Sequence, residues 1–293
     1  MKIFDLIGNT PLVSLDRINP YPHVRILGKL EGQNPGGSVK DRAAYQMISQ
    51  ALARGDVRPG DRLVEATSGN TGIALAMTAR ALDVRMTLLM PESATAERIK
   101  TMRAYGAEVI LTPAEGTIEY ARQEAERMRD ERGYFMLDQF ANPDNYRAHY
   151  RTTGPEIWRD TKGQVTHFVS AMGTTGTIMG TSRYLKEQNP AVQIVGTQPT
   201  EGSRIPGIRR WSPAFLPKIF EPARVDRIVD VSSEQAVTMT RRLAQEESIL
   251  AGMSSGGAAH AALEVAKDLD KGVIVCIVCD RGDRYLSSDL FEG

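Results

Sequence analysis

The sequence predicts an α/β fold with mostly parallel sheets. From Arg62 onward, short runs rich in leucine or β-branched residues alternate with segments that carry apolar residues at helical spacing. Such alternation is typical of α/β layers, because each parallel strand needs a crossover to return the chain to the sheet. The length of 293 residues suggests about two domains and allows a sizeable core.

Each element is predicted from its own hydrophobic period. The predicted strands span residues 63–65, 86–90, 108–112, 134–137, 166–171, 193–198, 227–231 and 273–278. The predicted helices that accompany them span residues 71–82, 94–105, 117–132, about 142–160, 176–188, 233–247 and 256–269.

A further helix is predicted to begin beside Lys40. The sequence Pro-Gly-Gly at 35–37 predicts a turn, Ser38 is a suitable N-cap, and Asp41 completes a pattern like a capping box before Gly55 ends the helix. The helix dipole disfavours a cation there by roughly 0.3–1 kcal/mol, which lowers the lysine pKa by well under one unit. A lysine that attacks an aldehyde needs burial as well, so an ordinary solvated lysine is the alternative interpretation.

The balance of charges argues against partners that bind through the net charge of a protein, such as nucleic acid. Lys plus Arg and Asp plus Glu both number 36, so nothing draws in nucleic acid or an anionic membrane. The N-terminal residues lack the apolar core of a signal peptide, and no apolar run reaches about 18 residues, so we expect a cytoplasmic protein. The expected partners are small molecules or a second copy of the chain.

The two cysteines, Cys276 and Cys279, form a Cys-x-x-Cys pair in the apolar segment 272–279. This segment is typical of a buried strand, in which residues three apart point to opposite faces. A thioredoxin-like pair belongs at a helix start, so the spacing favours structural thiols over a redox site.

Two glycine-containing turns lie where a predicted strand meets a helix, which is the edge at which open α/β sheets bind ligands. The first, residues 67–72, offers backbone N–H groups and three hydroxyls and suits a carboxylate. The second, residues 173–177, suits a phosphate. Neither has the spacing of a Walker loop or a dinucleotide fingerprint, and each by itself could be an ordinary capped turn.

Residues 252–256 fit Gly-x-Ser-x-Gly, the nucleophile elbow of α/β hydrolases, so a hydrolase acting through Ser254 is the rival from another class. That fold requires its acid and then its histidine later in the chain, whereas the last histidine, His260, lies on the helix that Ser254 would start. The order fails, and the hydrolase stays a minor alternative. The other histidines, His23, His149 and His167, also lack metal-ligand spacing, and no metal site is predicted.

The segment 201–217 is the main irregular insertion. A loop of this length is usually functional or disordered. It contains Arg204, Arg209, Arg210 and Trp211, which suit the binding of an anion beside a covered cavity, with an arginine-rich surface loop as the alternative.

A helix-start lysine, a turn for a phosphate, a turn for a carboxylate and a lone hydroxyl at Ser254 form the set with which pyridoxal phosphate binds an amino acid. The chain resembles the cysteine synthase family of fold-type II pyridoxal-phosphate enzymes, and its B type most. The motifs that carry the resemblance run through the whole chain in order, at residues 8–12, 38–42, 67–72, 139–140, 173–177, 254–256 and 280–285.

The resemblance implies two α/β domains with mostly parallel sheets and the cofactor in the cleft between them. Residues 1–37 and 147–293 would form the larger, cofactor-binding domain. Residues 38–146 would form a smaller, mobile domain that binds substrate. The resemblance further implies a homodimer.

The resemblance also implies the roles of the site residues. Lys40 would hold pyridoxal 5'-phosphate and later act as the base at the substrate's α-carbon, Asn70 would bond the ring hydroxyl, and Ser254 would face the ring nitrogen. The phosphate would be held by Gly173, Thr174, Thr175, Gly176 and Thr177. The substrate carboxylate would be held by Thr67, Ser68, Thr71 and Gln139.

The reaction implied by the resemblance is a β-replacement. O-acetyl-L-serine loses acetate, and the resulting aminoacrylate takes up a sulfur nucleophile, giving L-cysteine from sulfide or S-sulfocysteine from thiosulfate. Thr175 and the insertion resemble the B type, in which Arg210 would favour anionic donors and Cys279 would contact substrate. Serine or threonine dehydratase and cystathionine β-synthase are the alternatives on the same scaffold.

Overall fold

A computed structural model describes residues 1–292 of the protein. The strands are β1 (Leu12–Ser14), β2 (Val24–Leu30), β3 (Arg62–Ala66), β4 (Arg85–Pro91), β5 (Glu108–Thr112), β6 (Phe135–Met136), β7 (His167–Ala171), β8 (Gln193–Pro199), β9 (Arg227–Val231) and β10 (Gly272–Val278). The helices are α1 (Lys40–Arg54), α2 (Asn70–Ala81), α3 (Ala96–Ala104), α4 (Thr117–Arg132), α5 (Pro143–Arg151), α6 (Thr153–Asp160), α7 (Gly176–Gln188), α8 (Ser233–Glu247) and α9 (Met253–Ala266).

The larger sheet has six strands in the order β1-β2-β10-β7-β8-β9, and all of its pairs are parallel except β1 with β2. Its central strands β7 and β10 are largely buried on both faces because helices cover both. In β7, Val169 packs toward α8 and α9, whereas the preceding Phe168 packs toward α6 and α7. Open α/β sheets bind ligands at the carboxyl ends of their strands, so we expect a site at the carboxyl ends of β7 and β10.

The smaller sheet has four parallel strands in the order β5-β4-β3-β6. One of its faces packs on apolar residues of α1, α2 and α3, and the other packs on Ala121, Ala125 and Met128 of α4. The whole sheet lies within residues 38–146, the segment predicted to be the smaller domain. The mobility of that segment stays a prediction.

All eight predicted strands are present, with ends displaced by one residue at most. The prediction missed β1 and β2, because β2 carries Arg25 and Lys29 in place of an apolar run. Its Lys29 is fully buried and pairs with Glu156 at 2.8 Å. A charge that is neutralised only in the folded state cannot be recognised as buried from the local pattern.

Three helix predictions need correction. The segment 142–160 divides into α5 and α6 at Thr152, whose hydroxyl bonds back to the Ala148 carbonyl at 2.6 Å. Helix α9 begins at Met253 instead of Gly256. The predicted capping box of α1 is wrong, since Asp41 accepts from Gly36 N at 2.5 Å and the helix has no side-chain cap.

Among the residues described, no helix has both the length and the apolar character required to cross a membrane.

Candidate active site

Lys40 is the first residue of α1, and the backbone before it is tied to the end of β10. Ser38 forms a β-bridge with Asp280, and Val39 N donates to the Cys279 carbonyl at 2.8 Å. Burial lowers the pKa of the Lys40 amine, and electrostatic interactions with Cys279, Asp280 and Glu31 oppose this without reversing it. The structure thus supplies the burial that the helix dipole alone cannot, and the neutral, nucleophilic amine becomes easier to form.

Asn70, at the start of α2, is held by charged groups that follow β10. Its Nδ2 donates to Asp280 Oδ2 at 2.7 Å, and its Oδ1 accepts from Arg284 Nη1 at 2.6 Å. Asp280 is 1% exposed and also accepts from the Tyr285 hydroxyl at 2.7 Å. Because both amide atoms have a partner, the orientation of Asn70 is set, and its second Nδ2 hydrogen is left for a ligand.

The predicted carboxylate turn lies between β3 and α2, with Gly69 as the N-cap of the helix and no side-chain cap. The first N–H groups of an α-helix have no intrahelical acceptor, so this turn offers donors to an anion. Thr71 donates its hydroxyl to Gln139 Oε1 at 2.9 Å, and both side chains are buried. Because Gln139 uses its amide oxygen in this bond, its two amide hydrogens are available to other acceptors.

The predicted phosphate turn joins β7 to α7. Thr175 has φ 69°, the left-handed region that a β-branched residue rarely adopts, and such strain is concentrated at functional sites. Its hydroxyl oxygen is buried and has no hydrogen-bond partner among residues 1–292. Gly173 is required because a Cβ there would lie 2.5 Å from the Gly207 carbonyl oxygen. A buried hydroxyl without a partner, beside the N-terminus of a 13-residue helix, fits an absent anion.

Ser254 lies in the first turn of α9 and is 4% exposed. Its hydroxyl interacts with the neighbouring Cys279 thiol and acts to lower the pKa of that thiol. Burial has the larger effect and raises the pKa. Helix α8, not a strand, precedes this segment, and Ala251 makes only an isolated bridge to Arg281. The strand-turn-helix geometry of a nucleophile elbow is therefore missing, which removes the structural basis for the hydrolase alternative.

Cys276 and Cys279 are free and pack on opposite sides of the larger sheet, as the strand spacing predicts. Burial raises the pKa of Cys276 to about 12 and that of Cys279 to about 11, which disfavours the thiolates. Cys279 nevertheless lies beside Lys40, as a pocket-side residue requires. Its contact with substrate stays a prediction.

The partners of the Arg210 side chain lie outside the two anion turns. Its Nη2 pairs with Asp230 at 2.5 Å, and its Nε donates to the Pro199 carbonyl at 2.9 Å. The neighbouring Trp211 instead donates Nε1–H to the Gly173 carbonyl at 2.8 Å, so the insertion contacts the phosphate turn through the indole. Binding of an anionic donor by Arg210 stays a prediction.

The remaining predicted residues are brought together by bonds between distant parts of the chain. Asn145 Nδ2 donates to the Gln139 carbonyl at 2.7 Å and to Thr174 Oγ1 at 3.1 Å, so the phosphate turn is linked to Gln139, the residue that Thr71 contacts. Thr67, Ser68, Gly176 and Thr177 lie on the two anion turns. The roles of Asn145, Asp280 and Arg284 were not predicted from the sequence. Asp280 and Arg284 had a usable signal, because both lie in the motif at residues 280–285 and Asp280 directly follows the carboxyl end of a parallel strand.

The residues at this edge of the sheets fit pyridoxal phosphate. They include a lysine amine whose pKa is lowered by burial, a hydroxyl at Ser254, and a phosphate turn with a buried Thr175 hydroxyl that lacks a partner within residues 1–292. Among these described residues, no group of three His, Cys, Asp or Glu is arranged to hold a metal ion.

Comparison with known proteins gives consistent results. The family described as "Pyridoxal-phosphate dependent enzyme" matches residues 3–280. The chain is 59% identical over 290 residues to cysteine synthase B of Pseudomonas aeruginosa, covering 99% of this chain and 97% of that protein. It is 56% identical over 285 residues to cysteine synthase B of Escherichia coli, covering 97% and 94%.

Solved structures show the same architecture. A cysteine synthase from Entamoeba histolytica has a TM-score of 0.94 and 39% identity, covering 100% of this chain and 90% of that one. An O-ureido-L-serine synthase has a TM-score of 0.94 and 38% identity, covering 100% and 95%. These similarities confirm the predicted resemblance, fold class and cofactor. The chain belongs to the cysteine synthase family of pyridoxal-phosphate dependent enzymes.

Proposed function

We propose that this protein is a cysteine synthase of the B type, which replaces the acetate of O-acetyl-L-serine with a sulfur nucleophile. The observation that carries the proposal is the half-buried Lys40 beside Asp280 and Cys279 at the end of β10, with an amine whose pKa is lowered by desolvation. The two bacterial relatives named cysteine synthase B, which match nearly the full chain, support the same activity.

In this proposal some residues bind the substrate and the cofactor, and Lys40 transfers a proton. Pyridoxal phosphate, when bound, withdraws electrons from the substrate's α-carbon. The N–H groups of residues 67–72 and the amide of Gln139 bind the substrate carboxylate, and the phosphate turn anchors the cofactor. The neutral Lys40 amine accepts the α-proton at its Nζ, and burial favours that neutral form. The Ser254 hydroxyl, being neutral, accepts or donates at the ring nitrogen without adding charge there.

A product assay on the purified protein loaded with pyridoxal phosphate tests the proposal. With O-acetyl-L-serine and sulfide we expect acetate and cysteine in equal amounts, together with a change in the visible spectrum of the bound cofactor. Release of pyruvate from serine would indicate a dehydratase, and a preference for homocysteine would indicate a cystathionine synthase. Labelling of Ser254 by a fluorophosphonate would revive the hydrolase.

We also propose that the protein accepts anionic donors such as thiosulfate, with Arg210 of the insertion contributing positive charge. Arg210→Ala should lower kcat/KM for thiosulfate by about three- to tenfold and leave the value for sulfide within about twofold, because Arg210 is partly exposed and already paired with Asp230. Steady-state kinetics with both donors measures this difference. Arg224→Ala, which removes another exposed guanidinium, is the control. Equal losses for the two donors would contradict the proposed role.

We further propose that the protein forms a homodimer, that it is located in the cytoplasm, and that residues 38–146 close over the substrate. Both cysteines are free, which suits a reducing compartment. Exposed apolar side chains such as Ile3, Leu6 and Leu286 supply surface that pairing would bury. Light scattering gives the mass in solution, and a monomer at micromolar concentration would contradict the dimer.

A further inference from the structure

Helix α5 packs directly behind the phosphate turn. Its Asn145 and His149 are four residues apart and so lie on one face of the helix, and they are only 3% and 2% exposed. Asn145 supports Thr174, as described above. A Cβ at Gly176 would collide with the Asn145 side chain, so the turn can approach α5 this closely only with glycine at that position.

His149 contacts a hydroxyl with each ring nitrogen. Its Nδ1 lies 2.8 Å from Thr153 Oγ1 on α6, and its Nε2 lies 3.3 Å from Thr177 Oγ1 on the phosphate turn. Burial lowers the pKa of His149 well below its usual range, and the charges of Arg42 and Lys40 act in the same direction. A neutral imidazole has one donor and one acceptor nitrogen, so the two contacts must differ in direction.

A bound phosphate would select one of the two possible directions. Its oxygens accept hydrogen bonds, so a Thr177 hydroxyl that contacts them must donate its only hydrogen to them. Thr177 Oγ1 can then only accept from His149, which requires the hydrogen on Nε2. Nδ1 must in turn accept from the Thr153 hydroxyl. All three groups are then satisfied by a single arrangement of hydrogens.

We propose that His149 is a positioning residue: it accepts from Thr153 at Nδ1 and donates Nε2–H to Thr177, which leaves the hydrogen of the Thr177 hydroxyl aimed at the cofactor phosphate. The inference rests on the proposed placement of the phosphate on residues 173–177. No proton is transferred, and no bond is made or broken. Thr153 donates to Nδ1 and so stabilises this tautomer, His149 donates to Thr177, and Thr177 contacts the phosphate.

Nitrogen NMR of the histidine rings tests the tautomer without measuring activity. In the enzyme loaded with pyridoxal phosphate, His149 should show the neutral Nε2–H form, with its signals assigned by their loss in His149→Gln. Thr153→Val removes the hydroxyl at nearly constant shape and should shift the ring toward a mixture with the Nδ1–H form. A wild-type ring that is Nδ1–H or doubly protonated would overturn the proposal.

The affinity of the protein for pyridoxal phosphate tests the consequence. His149→Phe should raise the dissociation constant by about tenfold, whereas His149→Gln, which can still donate to Thr177, should change it by less than about threefold. His167→Gln, at the opposite end of β7, is the matched control and should have no effect. In a Thr177→Val background His149→Phe should add little, because the bond it breaks is already absent.

The outcomes separate this inference from the function on which it rests. If Thr177→Val weakens cofactor binding but His149→Phe does not, the relay is wrong and the phosphate turn stands. If Thr177→Val has no effect on cofactor binding, the placement of the phosphate fails, and the relay fails with it. A full tenfold loss from His149→Phe in the Thr177→Val background would show that His149 supports the fold and not the hydroxyl.

Discussion

Lys40→Ala is expected to lower kcat for cysteine formation by at least about 10³-fold. The substitution removes the amine to which the cofactor is proposed to attach, together with the base at the α-carbon, and positioned proton transfer alone contributes about 10²–10⁴-fold. Both anion turns would remain, so the protein should still fold and bind pyridoxal phosphate weakly. Stopped-flow assays with O-acetyl-L-serine and sulfide measure the loss in rate.

A chemical test locates the amine independently of the rate. Borohydride treatment of the wild-type protein with bound cofactor should attach the cofactor to the peptide that contains Lys40, and mass spectrometry should find no such adduct in Lys40→Ala. The control is Lys267→Ala, since Lys267 is an exposed lysine paired with Glu264 on the surface. Attachment at any other lysine, or full activity of Lys40→Ala, would refute the proposed site.

Arg42→Met is expected to destabilise the fold by about 3–5 kcal/mol, because removing one member of a buried ion-pair network leaves uncompensated charge. Arg42 is 2% exposed and forms two-bond pairs with the carboxylates of Glu31 and Glu156, at 2.7 and 2.8 Å in each case. In the variant, Glu31 would lose Arg42, the cation with which it pairs, while Glu156 would keep its pair with Lys29. Urea unfolding followed by circular dichroism gives the change in free energy of unfolding.

Arg54, on the same helix as Arg42, offers an internal comparison. Arg54, at the other end of α1, pairs with Asp144 at 2.6 Å, but its side chain is 45% exposed. Arg54→Met should cost no more than about 1 kcal/mol, since water already solvates and screens that pair. Equal costs for the two substitutions would show that burial does not set the value of the Arg42 network.

The network also makes the stability depend on pH. Burial alone would raise the pKa of Glu156, but the hydrogen bonds and charges of Arg42 and Lys29 outweigh it and lower the pKa from 4.5 to about 2. A carboxyl with a lowered folded-state pKa stabilises the fold above its unfolded pKa, and the contribution is lost as the pH falls toward the folded value. Wild-type stability should therefore fall between about pH 4.5 and 2 through this group. Arg42→Met should flatten that part of the profile.

The sequence by itself determined the elements whose signals are local. Apolar periodicity placed eight strands, and a glycine at the helix end placed the end of α1, where Gly55 has φ 78°. The same kind of signal predicted Lys40 at a helix start and the turns at residues 67–72 and 173–177, because strand ends, glycines and hydroxyls are adjacent in the chain. The resemblance to a family joined these pieces into a site, which periodicity alone could not do.

The tertiary structure decided what depends on partners far apart in the chain. Asn70 is oriented by Asp280, 210 residues later, and Lys29 is buried in β2 only because Glu156 neutralises it. His149, without any local signal for function, lies 28 residues before Thr177 and reaches its hydroxyl because α5 packs against α7. Buried polar groups require partners, and only the folded chain determines which partners are within reach. Lys40 likewise owes its lowered pKa to burial, whereas its place at the start of a helix could be predicted from the sequence.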